Sequence, residues 1–202
     1  MSTAIVETIN VTREIAWLPW AVSYFFLIGL SYGAFLLSLP GVLLQRPGWE
    51  AISRLALLAA LVCGLTAPVA LLADLHQPGR FWHFYAYFTP SSWMSWGAFF
   101  IPVYLGGLLV YAWLAFRPLL AEHGRSGGRL ARLAALLACG GLESRRALIG
   151  AAALAFAGAA LVALYTGAEL MVVRARPLWH TPLLPVQLAI TALAGAVGLT
   201  LL

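Results

Sequence analysis

Between Ala73 and Gly97 the chain reads ADLHQPGRFWHFYAYFTPSSWMSWG, placing Asp74, His76, Arg80 and His83 within ten residues of one another, followed by a dense run of aromatics. Charged and titratable side chains are costly beside a bilayer, and the segment lies between two stretches apolar enough to span one, so their chemistry is the first question. Asp74 can carry a proton, His76 and Arg80 can donate hydrogen bonds, and aromatic rings can wall a flat apolar molecule.

The elements that must position these groups follow from composition. Hydrophobic residues make up 62% of 202 positions and charged residues 9%, against roughly 25% charged in soluble domains. This is the composition of an all-α integral membrane protein. At about 20 apolar residues per helical span, five segments qualify, at about 15–44, 55–73, 93–116, 147–173 and 183–202. The whole chain, 1–202, is expected to form a single membrane domain of about five transmembrane helices. The first and fourth spans exceed the need and are expected to tilt or project. No basic residue precedes Arg13, so the opening lacks the charged start of a cleavable signal and the first helix is expected to stay. The chain ends inside an apolar run, as expected of a fragment of a longer protein or of a short variant.

The net charge of +5 comes from twelve Arg and no Lys. In so apolar a chain this balance reports orientation rather than a nucleic-acid partner. Arg13, Arg80, Arg174 and Arg176 fall on one side, while Arg46, Arg54, Arg117, Arg125, Arg129, Arg132, Arg145 and Arg146 fall on the other. The positive-inside rule then predicts that the N-terminus and the second and fourth loops lie outside, with the first and third loops cytoplasmic. In the third loop, 117–146, arginines and leucines separate onto two helical faces, which predicts an amphipathic helix lying on membrane lipids. Cys63 and Cys139 are too few for an iron–sulfur cluster and are expected to pack as small apolar groups. Small residues at Gly29, Gly33, Gly106, Gly107, Gly150 and Gly158 favour close helix packing. Pro68 and Pro102 should kink their helices and open gaps between them.

Because odd helices begin and even helices end on the same side, three polar groups meet at one membrane face. The first helix brings Trp17, Trp20, Ser23 and Tyr24; the second loop brings Asp74, His76, Arg80, Trp82 and His83; the fourth helix and its loop bring Tyr165, Glu169, Arg174, Arg176 and His180. Haem is not expected, since His76, His83, His123 and His180 are all assigned to loops. Nor is a metal, since no compact ligand pattern occurs. A quinone fits better: its ring wants aromatic walls, and its two carbonyl oxygens need hydrogen-bond donors and a proton carrier such as Asp74. Plainer readings stand beside this one. Trp82, Tyr85, Tyr87 and Trp93 suit an ordinary aromatic belt, and Asp74 could simply pair with Arg80.

Five motifs, FLIGLSYGAFLL, ADLHQPGRFWHF, TPSSWMSWGAF, LYTGAEL and RARPLWHTPLLP, occur in order across nearly the whole chain. Together they resemble the NrfD/PsrC family, the polysulfide-reductase type of membrane subunit. The resemblance implies a haem-free anchor that exchanges electrons between a quinone pool, menaquinone or ubiquinone, and a ferredoxin-like [4Fe–4S] subunit, itself joined in many members to a molybdenum-containing catalytic subunit. It implies a quinone head near the docking face, within a bundle made by the first four helices. By motif, Tyr24, Asp74 and Tyr165 match the polar positions of that site. Family members usually have eight or more helices, against five here.

The combined expectation is a quinone-interacting membrane subunit of a respiratory oxidoreductase. In it Asp74 exchanges protons, Tyr24 and Tyr165 hydrogen-bond the quinone oxygens, His76 and Arg80 shape the pocket entrance, and Trp17 and Trp20 form walls. The alternatives are a passive anchor for an electron-transfer subunit and a proton-conducting subunit. The latter needs polar groups deep in the membrane, where the sequence suggests almost none.

Overall fold

The computed structural model describes residues 19–75, 77–138, 140, 144–173 and 177–201. Five of its helices are long and apolar enough to cross a membrane: the stretch Pro19–Leu43, then Glu50–Asp74, Trp93–Gly124, Arg145–Met171 and Leu184–Leu201. Among the described residues every regular element is helical. In chain order the helices are α1 (Pro19–Ser38), α2 (Glu50–Asp74), a one-turn α3 (His83–Ala86), α4 (Trp93–Gly124), a short α5 (Arg129–Leu137), α6 (Arg145–Met171) and α7 (Leu184–Leu201).

The spans differ from the sequence expectation at their borders. Helix α2 starts at Glu50 rather than at 55, because a carboxylate in the first turn suits the positive end of the helix dipole. Helix α4 runs to Gly124 rather than to 116 and keeps Pro102 and Pro118 inside it. His123 therefore sits in the last turn of a helix rather than in a loop. Ser144 starts α6 by accepting a hydrogen bond from the Arg146 amide at 3.2 Å.

Helix α1 packs chiefly on α2, and α4 packs chiefly on α6; α7 closes the bundle against α1 and α6. Glycines set how closely the backbones approach. A Cβ on Gly107 would meet Ala155 N at 2.6 Å, and one on Gly158 would meet Tyr104 Cα at 2.5 Å. On α1, a Cβ on Gly33 would meet Ala192 O at 2.7 Å. Gly106 and Gly150, which share the same small-residue rows, face open space. The core between the helices holds Tyr24, Ile28, Phe35, Leu57, Tyr104, Leu108, Tyr111 and Val162.

The bundle interior carries more polar groups than the sequence suggests. Ser31 donates to the Ala60 carbonyl at 2.7 Å and lies 2.8 Å from the Tyr104 hydroxyl. Ser53 donates to the Leu37 carbonyl at 3.0 Å and accepts from the Gly41 amide at 2.9 Å. Hydroxyls are admitted here because neighbouring backbone groups satisfy them, which makes them links between helices.

The contact at Gly158 yields a prediction. Replacing Gly158 with Val should lower the stability of the bundle in detergent by about 1–3 kcal/mol through overpacking. Replacing Gly150 with Ala should leave thermal unfolding unchanged.

Candidate functional site

Among the described residues, the polar groups singled out in the sequence lie at the start of α1, the end of α2 and the chain that follows it, and the end of α6. There the chain from Gln77 to Ser92 folds over the helix ends, through a single turn of tighter helix at Pro78–Arg80 and then α3. Its aromatics lock together edge to face. Tyr85 meets Phe99 with centroids 5.6 Å apart, and Phe88 meets Trp96 at 4.9 Å. Trp96 also donates from Nε1 to the Pro90 carbonyl at 3.1 Å, and the Thr89 amide donates to Ser95 Oγ at 3.3 Å. The crossing is thus pinned to the first turns of α4.

Under this crossing lies a cavity of about 320 Å³, within the size range of small-molecule sites. Pro68, Leu71 and Asp74 line it from α2, Phe81, Phe84 and Tyr85 from the crossing, Ala98 and Ile101 from α4, and Tyr165 from α6. The walls are mainly apolar and aromatic. The polar exceptions are the Asp74 carboxyl and the phenols of Tyr85 and Tyr165. Asp74 Oδ1 is buried and, among the described residues, has no hydrogen-bond partner. An unpaired buried acceptor costs on the order of 1–3 kcal/mol, so a hydrogen-bond donor arriving there is stabilised. Arg80 is exposed, and among the described residues it forms no ion pair with Asp74.

Tyr165 is held from behind. Its ring lies flat against Gly97 of α4, where any Cβ would run into the ring atoms. Tyr24, 1% exposed, does not line the cavity; it lies in the helix interface next to Tyr165, which is 4% exposed. The two phenols and the Glu169 carboxyl are within electrostatic reach of one another, while the Tyr24 hydroxyl lacks a hydrogen bond of good geometry. Tyr24 can therefore act on the cavity only through Tyr165.

The remaining sequence candidates separate. Trp20 is 52% exposed on the outside of α1 and is no wall of the cavity. Trp17, His76, Arg174 and Arg176 lie outside the described residues. His180 ties the loop before α7 to the end of α6, with Nδ1 2.8 Å from the Met171 carbonyl. His83 sits edge-on between Trp82 and Tyr87. Among the described residues, no three His, Cys, Asp or Glu side chains gather as they would around a metal.

Phe81 and Phe84 did not stand out in the sequence, and Tyr85 was grouped with belt aromatics. Their spacing of three and four residues is the signal that puts all three on one side of a helical turn.

Comparison with known proteins gives a consistent answer. The family model described as polysulphide reductase, NrfD, matches residues 7–202. The C subunit of the tetrathionate reductase of Salmonella typhimurium is 38% identical over 192 residues, which cover 95% of this chain and 50% of that protein. The C subunit of the selenate reductase of Mesobacillus selenatarsenatis is 34% identical over 122 residues, covering 60% of this chain and 29% of that protein. The chain thus spans half or less of the length of these relatives. With five apolar helices and a family match over nearly all its length, it is a multi-pass membrane protein belonging to the NrfD, polysulphide reductase family.

Proposed function

We propose that this chain is the quinone-interacting part of the membrane subunit of a respiratory reductase complex, and that the cavity beneath the 77–92 crossing receives the quinone head. The relatives named above are subunits of reductases, and membership of such a complex is the coarser part of this reading. The finer part rests on one observation: a buried, unpartnered carboxylate oxygen of Asp74 in an otherwise apolar, aromatic cavity that Tyr165 also lines. That donor set suits a flat ring with two carbonyl oxygens. One end of the ring needs a proton carrier, the other a fixed hydrogen-bond donor, and the faces need apolar cover.

In this reading the bound quinone supplies the two-electron chemistry, and the residues of the chain supply position and protons. Asp74 holds or releases a proton at Oδ1. Tyr165 donates from its hydroxyl, with its ring kept in place by Gly97 and its hydroxyl flanked by Tyr24 and Glu169. Phe81, Phe84 and Tyr85 exclude water and press on the ring faces. Arg80, exposed on the crossing, stands at the entrance. Electrons pass to or from a ferredoxin-like [4Fe–4S] subunit docked on the same face, with a molybdenum-containing catalytic subunit beyond it, in a bacterial inner membrane with that face periplasmic.

Two substitutions test this in the assembled complex. Asp74→Asn should lower quinol-linked turnover by at least about 100-fold, the usual scale for losing a general acid–base, while subunit assembly and turnover with an artificial donor to the iron–sulfur subunit stay unchanged. Wild-type quinol turnover would instead support the passive-anchor reading. Gly97→Ala should displace the Tyr165 ring and reduce quinol-linked kcat/KM by about 10- to 100-fold. Gly106→Ala, which points into open space, should not.

A further inference from the structure

At the other end of the bundle lies a second polar concavity. It measures about 390 Å³ and is bounded by Gln45 after α1, Leu114, Arg117 and Pro118 of α4, and Ser144, Arg145 and Leu148 at the start of α6. Among the described residues, no acidic side chain lines it.

Arg117 is the unusual member. It is 8% exposed, and its guanidinium is built in: Nε donates to the Ala138 carbonyl at 2.8 Å, and the group lies 5.6 Å from the centre of the Trp113 ring. Trp113 is fixed in turn by donating to the Leu137 carbonyl at 2.7 Å. Yet among the described residues Nη1 is buried without a partner, and no carboxylate there offsets the charge. A buried, uncompensated cation is costly unless an anion accompanies it. Arg145 adds a second guanidinium at the same concavity, where one of its nitrogens donates to the Leu43 carbonyl at 3.4 Å.

Twenty residues of α4 separate Gly97, under the first cavity, from Arg117. At 1.5 Å per residue that is about 30 Å, the thickness of a bilayer's hydrocarbon core. Arg117 therefore falls at the depth of the opposite headgroups, while Leu114 and Leu148 offer apolar surface on the membrane side. We propose that this concavity is a specific site for a phosphate-bearing anion, the phosphodiester headgroup of an anionic lipid, held by Arg117 and Arg145.

The test titrates the purified chain, in phosphate-free neutral detergent, with dioctanoyl-phosphatidylglycerol, dioctanoylglycerol and inorganic phosphate, following binding by calorimetry. The phospholipid should bind saturably, and Arg145→Gln should weaken it about tenfold, the scale of losing a charged hydrogen bond. Arg132→Gln, on exposed α5 surface, should not. Arg117→Gln should act like Arg145→Gln; if it fails to fold, the exposed Arg145 still decides. Dioctanoylglycerol binding as tightly as the phospholipid, no saturable binding, or insensitivity to Arg145→Gln would overturn the proposal. Inorganic phosphate binding as tightly, with the same sensitivity to Arg145→Gln, would keep the phosphate site and overturn the lipid as its source.

Discussion

A bilayer core offers no water, so each polar group within it must find a partner inside the protein. The interior hydroxyls obey this. Ser31 and Ser53 reach backbone carbonyls of the neighbouring helix. Among the described side chains that are not exposed, three buried polar atoms do not: Tyr24 Oη, Asp74 Oδ1 and Arg117 Nη1. They fall at the two ends of the bundle, two beside the aromatic cavity and one at the opposite border. Where the protein leaves a polar atom unpaired, a ligand with the matching donor or acceptor has something to gain by arriving.

Close helix packing makes these exceptions possible. Backbone contact at Gly107 and Gly158 draws α4 onto α6, and Gly97 continues the same face upward to receive the ring of Tyr165. The position of Tyr165 in the cavity wall is thus set by the packing that holds the bundle together. The 77–92 crossing completes the enclosure through edge-to-face aromatic pairs rather than through helix length.

Much of the architecture was legible in the residues. Five apolar runs of bilayer length are a strong signal, because burial of polar backbone permits little else. Helix borders were less legible: hydropathy falls at Arg54 and Arg117, yet helices continue through both, since a charged side chain leaves the backbone hydrogen bonds of a helix intact. Asp74 stood out because a carboxyl beside a bilayer demands a reason. The positions of Tyr24 and Tyr165 did not follow in the same way. Sequence gives each residue's depth along a helix but not which neighbour it faces, and the stacking of Tyr165 on Gly97 joins positions far apart in the chain. Phe81 and Phe84 were overlooked because aromatics at a membrane border are ordinary; only the helical turns of the crossing aim them inward.

A quinone ring in the cavity beside Asp74 is what the proposed function requires. Photo-crosslinking of the membrane-embedded complex with an azidoquinone, followed by peptide mapping, measures this directly. Label concentrated on the peptides spanning 68–101 and on the one carrying Tyr165, and competed away by unlabelled quinone, is the predicted result. Competable label confined to α7 or to the Arg117 end, with the Asp74 region unmarked, would contradict it.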